Sequence, residues 1–205
     1  MRNRHVIAFI LVLIIFLFAF RTQVAIIVDT GLGSIETGGV SLFSEQWLAV
    51  EFSTSQTWEI TDVQGWISAS FPGGAVTFAL YTDGGEIPGT ELFSQTLSID
   101  PAFFSDWHGP SGLSWIVTPG TFWLAFEVRS GSSFDGAMQF PSTTPLINGA
   151  VAFPSTGWLD AQEVPGIGVR ILGEEANATP VPEPASLLLI GSGLFGLFAR
   201  GRRRK

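Results

Sequence analysis

The chain has 205 residues and no cysteine, so disulfides, thiolate nucleophiles and thiolate metal sites are excluded at once. Its formal charge of −8 conceals a sharp division: from Thr30 to Pro180 there are 16 acidic side chains against two basic ones, Arg129 and Arg170, a net −14, while the other eight basic residues lie in the terminal segments. A field of that sign repels phosphate backbones and excludes nucleic acid as a partner.

At the amino terminus, the stretch from Val6 to Phe20 is unbroken apolar sequence behind Arg2, Arg4 and His5. That order of charge and hydrophobicity marks a secretory signal, so residues 1–25 are expected to be a signal peptide or N-terminal membrane helix and the chain to be exported. Arg21 and Gln23 interrupt the region of a small-residue cleavage site and leave Ala25 as the candidate. Residues 26–39 come next as an expected linker, because Asp29 to Gly39 is Gly-rich and polar.

Beyond it a period of two dominates. Leu48, Val50 and Phe52 share one face, as do Val76, Phe78 and Leu80, then Phe122, Leu124, Phe126 and Val128, then Ile167, Val169 and Ile171. Less regular strand candidates are Trp58 to Ile60, Trp66 to Phe71, Phe93 to Ile99, Leu113 to Val117 and Ala150 to Phe153. Between strands, Asp83-Gly84-Gly85, Pro72-Gly73-Gly74 and Pro119-Gly120 carry turn chemistry. The region holds all seven Trp, Tyr81 and 12 Phe, with no internal repeat and no amphipathic helix. Residues 40–173 are therefore predicted to form an antiparallel β-sandwich, jelly-roll-like, of eight or nine strands, large enough to fold without disulfides.

Signals for chemistry within it are sparse. Asp83-Gly84-Gly85-Glu86 sets two carboxylates on one turn, where Asp83 and Glu86 could hold Ca2+, but it lacks the spacing of an EF-hand loop and reads first as a plain hairpin turn. His108, in Asp106-Trp107-His108-Gly109-Pro110, is expected in a loop. It has no Cys and no G-x-S-x-G nucleophile elbow to work with, so neither a zinc site nor a catalytic triad is predicted, and no catalytic residue is assigned. Trp47 and Trp123 fall opposite the apolar faces of their strands, and Trp107 and Trp158 have loop-like surroundings. Exposed indoles at Trp107 and Trp158 could stack on sugar rings, whereas a sandwich also uses Trp simply to fill its core.

Residues 174–180 read as a flexible spacer. Three blocks complete the chain: Pro182-Glu183-Pro184, an uncharged stretch from Ala185 to Ala199, and the basic cluster Arg200, Arg202, Arg203, Arg204 and Lys205. As a helix, residues 185–199 reach roughly 22 Å, short of a ~30 Å hydrocarbon core. The basic cluster keeps Lys205 in the cytoplasm and places Pro182 to Pro184 across the membrane. Gly191 to Gly196 matches G-x-G-x-x-G, but it follows no strand and opens no βαβ unit, so no nucleotide site is predicted.

The tripeptide, short span and basic end over residues 181–205 resemble the PEP-CTERM sorting signal of exported proteins in Gram-negative bacteria. That resemblance implies recognition of Pro182, Glu183 and Pro184 by an exosortase in the inner membrane, then removal of the tail and delivery to the cell surface or exterior. It also implies a link to exopolysaccharide and biofilm. Tyr81 to Asp83, Ile87 to Thr90 and Gly120 to Ala125 further resemble extracellular β-sandwich domains of such proteins, which implies no activity. The expected function is thus a non-enzymatic envelope or extracellular-matrix protein without cofactor; the alternative is a lectin-like carbohydrate-binding module, and the third a secreted hydrolase.

Overall fold

Period-two sequence has become strand throughout. The computed structural model describes residues 24–33, 38–71, 73–99, 104–141 and 146–176, and these contain 13 strands. In chain order they are β1 (Ala25–Asp29), β2 (Gly39–Phe43), β3 (Trp47–Thr54), β4 (Trp58–Ala69), β5 (Ala75–Asp83), β6 (Pro88–Ser98), β7 (Asp106–His108), β8 (Ser111–Val117), β9 (Gly120–Glu127), β10 (Asp135–Gln139), β11 (Leu146–Phe153), β12 (Gly157–Pro165) and β13 (Val169–Glu175). Pairing is antiparallel and yields two sheets. One runs β1-β13-β4-β10-β2, with β7 and β8 also on β4; the other runs β12-β11-β3-β9-β5-β6.

β9 shows why the sheets hold together. Its alternation sends Phe122, Leu124 and Phe126 to one side, where they pair across the ladder with Phe52, Val50 and Leu48 of β3, and Leu124 and Phe126 with Leu80 and Phe78 of β5. Phe78 and Phe126 meet edge to face at 5.4 Å. Ile60, Val63, Ile67, Met138, Val169 and Ile171 of the seven-stranded sheet join the same buried cluster. Each fully buried aliphatic or aromatic side chain contributes about 1.5–3 kcal/mol, so this cluster is the main source of stability. At one margin Phe93 of β6 stacks on Trp115 of β8, ring on ring at 5.7 Å, linking the two sheets.

Several expectations change. The stretch 26–39 is not a plain linker: β1 pairs with β13, Asp29 forms an ion pair with Arg170 at 3.1 Å, and buried Thr30 donates to the Ile167 carbonyl at 2.8 Å and accepts from Val169 N–H at 2.7 Å. Ile26, Ile27 and Val28 supply the β-branched sequence for this strand. The carboxyl boundary also moves, since Glu174 and Glu175 pair with Glu59 and Trp58, and Ala176 N–H donates to Thr57. The strand count exceeds eight or nine among the described residues alone. His108, Trp107 and Trp158, expected in loops, are on β7 and β12. The expected signal helix, the rest of the spacer and the C-terminal helix lie outside the described residues. Among those described, no helix is long and apolar enough to cross a membrane.

Candidate functional site

The outer side of the six-stranded sheet concentrates the domain's polar chemistry. Its floor is a row of alanines, with Ala150 paired to Ala49, Ala49 to Ala125 and Ala125 to Ala79, each at most 3% exposed. Methyl groups leave room for large rings to lie over them. Trp123, one residue pair along β9, is fully buried although it points away from the main core, and its indole N–H donates to Asp83 Oδ1 at 3.2 Å. Trp158 meets Tyr81 edge-on at 6.1 Å and Trp47 at 6.5 Å. Trp123, Trp158 and Tyr81 form a second apolar cluster with the alanines, while Trp47 packs against the main core.

Tyr81 pairs with Trp123 on one side of the alanine row, and Glu127 pairs with Thr77 on the other. The phenol crosses the row and donates to Glu127 Oε1 at 2.7 Å. Arg129 then clamps two carboxylates, its Nε on Glu127 at 2.6 Å and its Nη2 on Glu91 at 2.7 Å. Glu127 is only 1% exposed, so its charge depends on these partners. Burial, then the hydrogen bond and charge of Glu127, push the Tyr81 hydroxyl well above its ordinary value. Burial opposes the Arg129 charge, yet the bonds to Glu127 and Glu91 hold its pKa above the usual guanidinium range. Burial likewise pulls Glu91 upward, but hydrogen bonds from Ser94 and Arg129 outweigh it and its carboxyl titrates below the usual range.

Tyr81 is the chain's single tyrosine, which makes this network directly observable. A raised folded pKa stabilises the fold fully below the unfolded value near 10, and that contribution is lost as pH rises through the higher folded value. Tyrosinate absorbance is therefore expected to stay absent in the native protein near pH 10 and to emerge only at more alkaline pH. A tyrosinate step near pH 10 with the tryptophan fluorescence still native would contradict the network.

The turn carrying Asp83 and Glu86 is built as a hairpin. Asp83 Oδ1 accepts from Gly85 N–H at 2.9 Å as well as from Trp123, and Gly84 N–H donates to the Ile87 carbonyl at 2.9 Å. Gly85 and Glu86 both take positive φ, 78° and 68°, as a tight hairpin requires. Among the described residues no three His, Asp or Glu side chains converge as a metal site.

Trp107 and Trp158 are not brought together, for they stand on different sheets. Trp107 packs edge to face with Trp66 at 5.3 Å, and the Arg170 guanidinium lies 4.3 Å over its ring, so one face is already occupied. His108 Nε2 is buried and has no hydrogen-bond partner among the described residues.

The described part of the chain ends at Ala176, and the sorting question is decided by the residues beyond it. A profile of the PEP-CTERM protein-sorting motif matches residues 180–204. The chain carries a PEP-CTERM sorting motif. No curated protein matches it. The PEP-CTERM match takes in Pro182, Glu183, Pro184, the apolar stretch and Arg200 to Arg204, and stops one residue short of Lys205. A PEP-CTERM motif implies processing by an exosortase, so this is an exported protein with membrane-associated processing and a surface or extracellular destination. PEP-CTERM tripeptide and basic cluster both lie outside the described residues. What sequence reasoning overlooked is the Tyr81–Glu127–Arg129–Glu91 network. Its one local signal was an acid and a base two apart, Glu127 at the end of β9 and Arg129 just beyond it.

Proposed function

We propose that this chain is a non-enzymatic protein of the cell envelope or extracellular matrix of a Gram-negative bacterium, associated with exopolysaccharide and biofilm, and that its domain is a jelly-roll-like sandwich delivered by exosortase processing. The PEP-CTERM motif at residues 180–204 carries the proposal. Supporting the non-enzymatic role, the ionisable cluster around Glu127 is spent on internal bonds that fix the sheet face. In an exosortase-bearing host, Glu183→Ala combined with deletion of Arg200 to Lys205 is expected to abolish processing and leave a full-length precursor in the membrane fraction. Unchanged mass and location of the product would sink the sorting role. Polymer hydrolysis abolished by a single carboxylate substitution would replace the non-enzymatic role with that of a secreted hydrolase.

A second reading, a carbohydrate-binding face, has one observation in its favour: Tyr81 and Trp158 are only partly buried and adjoin each other on the outer side of the six-stranded sheet, and partly buried Trp47 meets Trp158 as well. Glycan-array binding lost with Trp158→Ala but kept with Trp107→Ala would support it. No binding to matrix polysaccharides would remove it.

A further inference from the structure

Exposed edge strands ordinarily carry charges, prolines or bulges that discourage pairing. β6 closes one side of the six-stranded sheet, and among the described residues its one strand partner is β5. From the pair Leu80 and Phe93 to the pair Ala75 and Ser98 this ladder is regular. Residues 92–98 read Leu-Phe-Ser-Gln-Thr-Leu-Ser, with no charge, proline or glycine, inside a region that holds 16 acids. Ser94, Gln95, Thr96 and Ser98 are exposed, and Leu92 is 41% exposed. The Gln95 amide turns back to the Thr96 carbonyl at 3.4 Å, too long to be a strong bond.

The pattern is self-complementary. Laid antiparallel on itself about Gln95, the strand sets Phe93 opposite Leu97 and Ser94 opposite Thr96, while Gln95 faces its own copy. The β5 partners fix the sides. Phe93 and Leu97 stand with Leu80 and Val76, both wholly buried core residues, and Ser94 and Thr96 stand with Ala79 and Thr77 on the outer side. In such a pair, Phe93 and Leu97 meet on the core side with the two Gln95 side chains, whose β5 partner is Phe78, between them, and hydroxyls meet on the other side, as Thr77 and Thr96 already do within the chain at 2.8 Å. A one-residue slip would turn each side chain against the wrong face of the partner. The uncharged window also keeps two domains of net −14 from presenting carboxylates to each other at the contact. We propose that β6 is a homodimer interface, through which two copies pair antiparallel over residues 93–97 and join their six-stranded sheets into one.

The absence of cysteine gives a direct test. Gln95→Cys introduces a single thiol at the two-fold axis, where facing Cα atoms about 4.5–5.5 Å apart suit a disulfide. Thr90→Cys places the thiol on the same exposed strand, but the two copies would lie roughly 33 Å apart. Expressed as the full chain and exported to an oxidising compartment, Gln95→Cys is expected to run as a reducible species of twice the chain mass, and Thr90→Cys at single mass. Co-expressed Ser94→Cys and Thr96→Cys, a facing pair, should likewise crosslink to a greater extent than either alone. Equal dimer yields at positions 90 and 95 indicate chance collision and overturn the interface. So do single-mass products from both Gln95→Cys and the mixed pair, or crosslinks to a different protein.

Discussion

Arg129→Met is expected to lower the unfolding free energy by about 2–3 kcal/mol, read as a shift of the urea midpoint with unchanged slope. The cost arises at Glu127, not at the arginine. Glu127 is 1% exposed and has two partners, Tyr81 and Arg129, so losing the guanidinium leaves a buried carboxylate held by a phenol alone. Arg129 is 36% exposed, and water entering its place reduces the loss from the about 3–5 kcal/mol seen for fully buried pairs. The double variant Glu127→Gln with Arg129→Met removes the stranded charge and should recover a substantial share. The acid limb offers a second check. Because Glu91 titrates below its ordinary range, its contribution is present above the unfolded pKa of about 4.3 and is lost as pH falls through the lower folded value. Arg129→Met should flatten that loss, since the guanidinium is one of its causes. An unchanged midpoint in Arg129→Met would mean that the clamp is ornamental.

Legibility from sequence tracks the length of uninterrupted alternation. β3, β5 and β9 are readable because each keeps its apolar residues two apart along the whole strand. β4 reads from sequence as two pieces. Its buried positions run Ile60, Val63, Gly65, Ile67 and Ala69, and the three-residue step from Ile60 to Val63 coincides with register shifts against both β8 and β13. β7 is set by partners remote in sequence, Gly65 to Ile67, so Trp107 between Asp106 and His108 resembles loop. The covered outer face is the least legible feature. Alanines 49, 79, 125 and 150 carry no period of their own, and they become a floor only when four strands bring them into one row. The sorting tail is the reverse case, because its information lies in the linear order of tripeptide, apolar stretch and basic cluster.

Trp123→Ala separates the two roles that an outward-pointing tryptophan can have. A surface indole kept for ligand stacking costs within about 0.5 kcal/mol when removed. Trp123 is instead fully buried, in one apolar cluster with Ala49, Ala79, Ala125 and Ala150, against which Tyr81 and Trp158 pack. Truncation removes the apolar area and leaves a void that the alanine floor cannot fill, since methyl groups have no rotamers with which to collapse inward. The expected loss is about 3–5 kcal/mol, comparable with a core phenylalanine such as Phe78. Trp123→Phe keeps most of the ring, gives up the bond to Asp83 and is expected to cost about 1–2 kcal/mol. Filling the floor should act in the opposite sense: Ala125→Leu pushes a side chain into space the rings occupy and is expected to destabilise by about 1–3 kcal/mol. Urea denaturation of the three variants ranks them. A Trp123→Ala midpoint equal to that of the parent would show that the outer face is an open surface, and would restore Trp123 as a candidate for ligand contact.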